Sequence, residues 1–462
     1  LTKGVVLLNQ TNTFLDGKEK LSFDEGNIVL RFGAISDLHL HPGRQKFEES
    51  LRQLYAKAGK YQLDAIFVAG DLTDNGAFEQ VQALKEVLDD FELSNKKIKF
   101  LFALGNHDLA FDEKPFNGEM FKQVLADYAF EGASAEEIKN GNHHTTVKGY
   151  HFIAVNCKVY NGGCHHLSED LNWLKTELDR AILDDPQKPI FLATHPVIYD
   201  TVYGSKESTY WYSDNIDKLL RNYPQVIVFG GHLHFPLNDE RNIYQKNYTA
   251  LGTGCTLYCS LESEFEGIKP IDTKGGMEPE DCHSFSQGLY LEVDKNHNVK
   301  VTRMDFLNKA KIKEPWIIPS PKQDKSHLSK YTSEAVSLNN KAPFFLKSAE
   351  AVLQIVSRDK LTIKFDAAFD DDYVYYYELH LAETKKHFLL GKKPVITYSD
   401  FYRVPDPKEM KKRLTKVIDV AAFNLPSGEL KSGVEYCLKL VAVDSFGLKS
   451  EPIYSNCQKL RD

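Results

Sequence analysis

The first half of the chain alternates between short, continuous apolar runs and longer amphipathic stretches. Apolar runs of this length that are rich in β-branched and aromatic residues predict buried strands. They lie at residues 29–36, 65–70, 98–105, 190–194 and 226–231. The amphipathic stretches between them predict helices, which include 47–61, 78–91 and one that begins at Ser168. Strands and helices that alternate in this way predict a largely parallel α/β sheet.

Each of these predicted strands is followed by polar side chains that can bind a metal ion. The side chains belong to Asp37, His39, Asp71, Asn106, His107, His195, His232 and His234. In α/β sheets of this kind, sites gather beyond the carboxyl ends of the strands. We therefore expect all of these side chains to lie along one rim of the sheet. This convergence is the main reason to predict a functional site there.

The donor types point to metal chemistry. Carboxylates, imidazoles and an amide, without thiolates, favour Mn, Fe or Zn over a cysteine-rich zinc site. Asp37 and His39 share one side of a strand end because residues two apart point the same way, and so do His232 and His234. A lone Asp or His at a strand end is usually a cap or a solvated residue. Without His107, seven candidate metal ligands remain. They are too many for one zinc-like ion, but they suffice for two ions that share one carboxylate.

The pattern changes in the second half of the chain. We expect a first domain over residues 1–310, in which 1–27 form an N-terminal extension. Residues 311–342 are rich in Pro, Lys, Ser and Asn, which predicts a linker. Beyond it, apolar and polar residues alternate with period two in segments such as 436–444. This alternation predicts an antiparallel β-sandwich domain over residues 343–462.

Composition and charge limit the class of protein. Hydrophobic residues make up 42% and charged residues 26% of the 462 residues, which is typical of a globular chain. The formal net charge of −8 disfavours a broad surface for nucleic acid or anionic membrane, but it permits a local cationic site. No apolar run approaches the roughly 18 residues that a transmembrane helix needs.

Cysteines and the start of the chain bear on its compartment. The seven cysteines are too few for a scaffold built on disulfides, and their odd number leaves at least one thiol free. Pairs such as Cys255 with Cys259 or Cys437 with Cys457 are close enough in sequence to bond, although free thiols are the simpler interpretation. The sequence begins at Leu1 without an initiator Met or a leader. We therefore expect a mature or trimmed protein from which any export signal has been removed.

The ordered set of motifs resembles the signature of the calcineurin-like metallophosphoesterases. The motifs are Asp37-Leu38-His39, Gly70-Asp71, Gly105-Asn106-His107-Asp108, His195 and Gly231-His232-Leu233-His234. The resemblance covers residues 30–235, and the fold that it implies extends to residue 310. That fold is a four-layer α-β-β-α sandwich, here followed by an all-β, immunoglobulin-like sandwich. The second domain resembles fibronectin type III domains, with Tyr436 as the corner tyrosine and Ser432 in place of the usual proline.

The same resemblance implies a role for each site residue. One divalent ion would be bound by Asp37, His39 and His234, the other by Asn106, His195 and His232, and Asp71 would bridge them. His107 matches the histidine that stabilises the transition state or protonates the leaving oxygen, with Asp108 or Asp74 orienting it. Asp74 also stands where purple acid phosphatases of this superfamily place a tyrosine, so their tyrosinate–iron colour is not expected here.

The implied activity is hydrolysis of a phosphoester by a hydroxide that bridges the two metal ions. The Gly-Asn-His-Asp and Gly-His-Leu-His forms resemble bacterial cyclic-nucleotide phosphodiesterases, so we favour a phosphodiesterase, with cyclic nucleotides as one candidate substrate. A broad phosphomonoesterase is the main alternative. A binding module that keeps the fold without its metal ions is a further alternative, although such a module has no need for the complete ligand set.

Other features support weaker expectations. The pairs His143-His144 and His165-His166 are interpreted as histidines of surface loops. The segments Thr201-Val202-Tyr203 and Tyr210-Trp211-Tyr212 could stack on a base or an aromatic leaving group, or they could pack their own loop onto the domain. Fibronectin-like domains are frequent on exported proteins, so we expect an extracytoplasmic location (secreted, periplasmic or cell-surface). We also expect a C-terminal spacer or attachment module, without which a chain ending near Pro319 would keep its metals and most of its activity.

Overall fold

The computed structural model describes residues 23–91, 98–109, 118–129, 133–160, 163–207, 211–274, 276–383, 388–389 and 393–460. Most of the predicted N-terminal extension therefore lies outside the described residues. Within them, no helix is long and apolar enough to cross a membrane.

The first region of the chain contains β1 to β17 and α1 to α7. Its strands are β1 Ile28–Ile35, β2 Ala65–Ala69, β3 Lys99–Ala103, β4 His143–Val147, β5 Tyr150–Ala154, β6 Lys158–Tyr160, β7 Gly163–His165, β8 Ile190–Thr194, β9 Val197–Ile198, β10 Tyr212–Ser213, β11 Val226–Gly230, β12 Ile243–Gln245, β13 Thr249–Gly252, β14 Gln287–Asp294, β15 Val299–Asp305, β16 Ala310–Lys311 and β17 Trp316–Ile318. Its helices are α1 Arg44–Ala58, α2 Phe78–Asp90, α3 Gly118–Leu125, α4 Ala135–Asn140, α5 Ser168–Asp184, α6 Asn215–Leu220 and α7 Ser333–Ser337.

Two sheets face each other in this region. One has the order β16-β15-β14-β1-β2-β3, with β17 also paired to β15, and the other has the order β12-β13-β11-β8-β5-β4. The strands β1, β2 and β3 run parallel, and so do β5, β8, β11 and β13. Strands such as β2, β8 and β11 are buried along their whole length, which explains why their sequences are continuous apolar runs rather than alternating ones.

Aromatic side chains fill the space between the two sheets. The ring of Phe32 contacts those of Phe152, Phe191 and Phe229 at centroid distances of 5.0, 4.8 and 6.2 Å. Helices α1 to α4 contribute to the core on the outer face of the first sheet, and α5 and α6 contribute to the core on the outer face of the second. The predicted α-β-β-α layering is confirmed.

The C-terminal region is all-β. Its strands are β18 Ala351–Ile355, β19 Lys360–Asp366, β20 Val374–Glu383, β21 Phe388–Leu389, β22 Val395–Tyr398, β23 Arg413–Asp419, β24 Glu435–Asp444, β25 Ile453–Tyr454 and β26 Gln458–Lys459. They form an antiparallel sheet β18-β19-β23 and a second antiparallel sheet built on β20 and β24, and these share a buried core. The hydroxyl of Tyr436 accepts a hydrogen bond from the Lys431 N–H over 2.9 Å, a contact of the kind expected from a corner tyrosine.

The two regions are joined by extensive contacts. β17, which lies in the predicted linker, pairs with β15 at the edge of the first sheet. Aromatic residues of the C-terminal region belong to the same buried core as the outer face of the second sheet. They are Tyr373, Tyr375, Tyr398, Phe401 and Tyr402. This packing does not support a separable spacer, because a chain ending near Pro319 would expose that core.

Candidate metal centre

The loops that follow the predicted strands meet on one rim, and their backbone is unusual there. The φ angle is positive at Asp37 (55°), His39 (46°), Asp71 (51°), His232 (70°) and His234 (58°). A positive φ is uncommon for residues other than glycine, and it persists only where the surroundings enforce it. Strain that is concentrated on five predicted ligands indicates that their positions matter more than their local stability.

Two glycines make this crowding possible. A Cβ atom at Gly70 would lie 2.3 Å from Nδ1 of His195, and one at Gly105 would lie 2.1 Å from Oδ1 of Asp71. Both distances are far inside van der Waals contact. Glycine is therefore required at these positions because ligand side chains occupy the space that a larger residue would need.

The first cluster of donor atoms consists of Asp37, His39, Asp71 and His234. One donor atom from each of them lies within 4.8 Å of all the others. Nε2 of His234 is 3.1 Å from Oδ1 of Asp37, and Nε2 of His39 is 3.9 Å from Oδ2 of Asp71. All four residues are buried.

The second cluster consists of Asp71, His195 and His232, whose donor atoms also lie within 4.8 Å of one another. Nδ1 of His195 donates to the Ala69 carbonyl over 2.9 Å, which directs Nε2 towards the cluster. Nε2 is 3.2 Å from Oδ2 of Asp71 and 3.0 Å from Oδ1 of Asn106. The structure therefore brings Asn106 to this cluster, and several nitrogen and oxygen atoms that can bind a cation point to one place.

Asp71 belongs to both clusters. Its Oδ1 accepts from the His107 N–H over 2.9 Å, whereas its Oδ2 is buried without a hydrogen-bond partner among the described residues. Nε2 of His39 and Nδ1 of His234 are in the same situation. Each unsatisfied buried group costs about 1–3 kcal/mol. These atoms and their nitrogen and oxygen donor chemistry fit a pair of divalent ions that share Asp71.

The electrostatic potential of the site favours cations. Burial disfavours the charged form of His195, but the carboxylates of Asp71 and Asp37 outweigh it and raise the pKa of His195 to about 10. Burial also opposes ionisation of Asp71, yet His195 and His39 hold the pKa of that carboxyl well below its usual range. The carboxylates are therefore ionised at neutral pH and available to a metal ion.

His107 is placed differently from the metal-ligand candidates. Its side chain is 23% exposed, whereas those of His39 and His234 are 2% and 5% exposed. Its Nδ1 donates to the Asp74 carbonyl over 2.8 Å, which fixes the ring with Nε2 3.9 Å from Oδ2 of Asp71. The structure thus sets His107 beside the bridging position with an edge open to a substrate.

The two carboxylates expected to orient His107 lie in different surroundings. Asp74 has Oδ1 3.8 Å from Nδ1 of His107 and 3.5 Å from Nδ1 of His39. Asp108 is buried, and its carboxylate accepts from the backbone of residues 72, 73 and 105 and from Oγ1 of Thr73. Asp108 therefore ties together the loops that carry Asp71 and Asn106, whereas Asp74 is the carboxylate beside the imidazole.

Two aromatic rings border the clusters. The centroid of Tyr258 lies 4.1 Å from that of His234, and the centroid of Trp211 lies 4.9 Å from that of His232. The sequence left open whether the aromatic residues of 201–203 and 210–212 contact a substrate or pack their own loop, and the position of Trp211 beside His232 favours a role at the site. Tyr258 was not predicted, because the segment between β13 and β14 has no periodic pattern that would place it.

Three of the histidines assigned to surface loops are not surface residues, so that interpretation is wrong for them. His143 is buried on β4 and His144 is largely buried there, hydrogen-bonded to Glu177. His166 is buried and bonded to Oγ of Ser213 and Oγ1 of Thr194, and its burial lowers the pKa to about 4. His165 is exposed, as expected. The thiols of Cys157, Cys255, Cys259, Cys282, Cys437 and Cys457 are all free.

Comparison with known proteins agrees with this geometry. Residues 30–236 match the calcineurin-like phosphoesterase family, and this part of the chain is a calcineurin-like phosphoesterase domain. The match begins within β1 and ends after His234, so it contains all of the predicted ligands.

Two curated relatives have different activities in their names. Purple acid phosphatase 23 of Arabidopsis thaliana is 26% identical over 190 residues, which cover 41% of this chain and 38% of that protein. A 3',5'-cyclic-nucleotide phosphodiesterase of Nostoc sp. is 26% identical over 202 residues, which cover 43% of this chain and 64% of that protein. The chain thus spans less than two thirds of the length of either relative. A purple acid phosphatase from yellow lupin seeds has a TM-score of 0.45 at 15% identity, covering 64% of this chain and 54% of that chain.

Proposed function

We propose that the chain is a phosphoric ester hydrolase that works with two divalent metal ions. The observation that carries the proposal is the position of Asp71, a buried carboxylate that belongs to both donor clusters. Asp37, His39 and His234 would hold one ion, and Asn106, His195 and His232 would hold the other. When bound, the two ions would supply a water of lowered pKa and neutralise charge on the phosphate.

The residues of the chain contribute the proton chemistry and the orientation. We assign His107 to the leaving-group oxygen, because its Nδ1–H is engaged by the Asp74 carbonyl and its Nε2 faces the bridging carboxylate. In that position Nε2 can donate a proton as the ester bond breaks. The Asp74 carboxylate lies 3.8 Å from Nδ1 of the same ring, and Asp108 would hold the loops of Asp71 and Asn106 together.

A phosphodiester is the proposed substrate class, and a cyclic nucleotide is one candidate. The Nostoc relative, whose name states this activity, supports the proposal. Trp211 and Tyr258 also border the clusters on two sides, where aromatic rings can stack on a base or an aromatic leaving group. A broad phosphomonoesterase is the second candidate, and the Arabidopsis relative supports it.

Metal analysis combined with a substrate panel tests both candidates. The protein would be loaded with Mn, Fe or Zn, and its metal content would be measured alongside hydrolysis of bis-nitrophenyl phosphate, nitrophenyl phosphate and 3',5'-cyclic nucleotides. We expect two ions per chain and the highest kcat/KM on a diester. Two ions with a preference for nitrophenyl phosphate would favour the phosphomonoesterase. Absence of both metal and turnover would favour a non-catalytic binding module.

We make three further proposals, which concern the metal ions, the domain type of the C-terminal region and the location of the protein. Asp74 replaces the tyrosine of purple acid phosphatases, so the iron-loaded protein should lack their charge-transfer colour. We assign the region after residue 343 to a fibronectin type III-like domain on the basis of its two antiparallel sheets and the Tyr436 contact. Because such domains are frequent on exported proteins, we place the protein outside the cytoplasm, which fractionation of its source cells would test.

A further inference from the structure

The segment between β13 and β14 lies against the metal centre. We call residues 255–274 the rim segment. The Ser260 N–H donates to the His234 carbonyl over 3.0 Å, so the rim segment contacts a ligand-bearing loop directly. Close to this contact, the half-buried ring of Tyr258 lies against the imidazole of His234. The rim segment thus supplies one wall of the site.

The second part of the rim segment is held by the C-terminal region. The Tyr375 hydroxyl donates to Oε2 of Glu262 over 2.8 Å, and the Tyr398 hydroxyl donates to the carbonyl of the same residue. The ring of Phe265 lies 5.8 Å from that of Tyr375 and 5.9 Å from that of Tyr398. Glu262 follows Tyr258 closely in sequence, so these contacts restrict the same stretch of backbone.

An ion pair fixes the far end of the rim segment. Oδ2 of Asp272 accepts from Nζ of Lys416 over 2.8 Å and from Oγ1 of Thr397 over 2.9 Å, and Oδ1 accepts from the Tyr398 N–H over 3.2 Å. The side chains of Asp272 and Lys416 are only 21% and 17% exposed. Breaking a largely buried, multiply bonded pair is costlier than breaking a surface pair.

We propose that the C-terminal region positions Tyr258 beside the metal centre, and that Tyr258 selects which phosphoesters the site accepts. The proposal rests on the function proposed above. Lys416 and Tyr398 are positioning residues that act through the rim segment. The C-terminal region is then part of the substrate site rather than a spacer.

The first domain also contacts the rim segment, and those contacts are a competing explanation for the position of Tyr258. The Thr256 N–H donates to the Ser36 carbonyl over 3.1 Å, and Nζ of Lys46 donates to the Leu257 carbonyl. If these contacts sufficed, loss of the C-terminal anchors would leave Tyr258 unchanged.

The chain offers two variants with matched controls on the same or adjacent strands. Lys416→Gln removes the ion pair to the rim segment, and Arg413→Gln removes a pair from the same strand, β23, to Asp366 within the C-terminal region. Tyr398→Phe removes the hydroxyl bonded to the rim segment. Its control is Tyr377→Phe, since the Tyr377 hydroxyl accepts from the Ala368 N–H inside the C-terminal core.

Two readouts are measured on the full chain with its metals. Lys416→Gln and Tyr398→Phe should speed hydrogen–deuterium exchange across residues 255–274, while their controls match the wild type. They should lower kcat/KM for bis-nitrophenyl phosphate about tenfold, mainly through KM, because a small displacement of a binding wall weakens productive alignment. Metal content should stay unchanged. In a Tyr258→Ala background, Lys416→Gln should add little, since both changes act through one ring.

Several outcomes would overturn the inference. Exchange and KM equal to those of the controls would show that the first domain alone holds the rim segment. Faster exchange with unchanged kinetics, or loss of metal from the variants, would show that Tyr258 does not select the substrate. A metal-loaded wild type that hydrolyses none of the esters would refute the proposed function, and the exchange comparison would still decide whether the C-terminal region positions the rim segment.

Discussion

The two sides of the metal centre are built differently. On one side, which we call the strand-end side, ligand candidates stand just beyond buried parallel strands, and their strained backbone is held by the sheets beneath them. On the other side, which we call the rim side, Tyr258 stands on the irregular rim segment, whose anchors come from both the first domain and the C-terminal region. The first side is a product of local sequence and sheet order, whereas the second depends on packing between regions that are distant in the chain.

Because they are built differently, the two sides suit different functions. Rigid strand ends suit metal ligands and transition-state groups, which need positions that are fixed closely. An irregular segment held by side-chain contacts can vary without disturbing the metals, which suits the choice of substrate. We therefore expect changes on the strand-end side to affect metal content or kcat, and changes on the rim side to affect KM.

The largest effect should follow Asp71→Asn. Loss of the shared carboxylate weakens both metal sites at once, so activity should fall by more than about a hundredfold and by more than for His39→Ala. Metal content and kcat/KM would be measured together, with exposed Asp127→Asn as the control. Two bound ions and near-normal turnover in Asp71→Asn would show that this residue does not bridge the ions.

His107→Ala should have the next largest effect and should leave the metals in place. We expect kcat to fall about a hundredfold for esters with poor leaving groups, as is typical when a general acid is lost. Activated esters, whose leaving groups need no proton, should be affected less. A series of aryl phosphates with graded leaving-group pKa would measure this, and equal losses along the series would argue against proton donation.

The strand-end side could be predicted from the sequence because each motif follows a recognisable apolar run. The family, the layered fold and the all-β C-terminal region are confirmed, and the structure brings the seven ligand candidates together, although their roles stay predictions. Strand prediction succeeds here because burial on both faces leaves a continuous apolar signal. Strand prediction fails at His143 because this polar residue in an edge strand gives no apolar signal.

The rim side could not be predicted for a physical reason. Alternation along β20 predicts that Tyr375 and Tyr377 share a face because they are two residues apart, but a register shift between Val374 and Tyr376 breaks the alternation there. In the structure, Tyr377 lies in the sandwich core, whereas Tyr375 lies in the core shared with the first domain. A pattern of period two therefore could not place Tyr375 in an interface with the first domain, and the spacer interpretation followed from that.

Tyr258→Ala should show a smaller effect of a different kind. Removal of the ring should raise KM for bis-nitrophenyl phosphate about tenfold, because aromatic contacts of this type contribute on the order of 1 kcal/mol. Neither kcat for saturating substrate nor metal content should change much, and Tyr258→Phe should behave as the wild type. Equal losses in Tyr258→Phe and Tyr258→Ala would assign the effect to the hydroxyl instead of the ring.

The smallest effect concerns the stability of the rim side. Burial raises the pKa of Glu262 to about 7, a shift that Arg241 opposes and Glu207 reinforces. A folded-state pKa above the unfolded value means that the folded protein binds the extra proton, so this contribution to stability is complete below about pH 4.3 and is lost as pH rises through about 7. The free energy of unfolding should therefore fall across this window, with a slope of at most about 1.4 kcal/mol per pH unit from this group. Glu262→Gln should remove that slope, and Glu264→Gln, at an exposed neighbour, should keep it. Denaturant titrations of the three proteins between pH 4 and 8 would measure the slopes, and identical slopes would place Glu262 in water rather than in the interface.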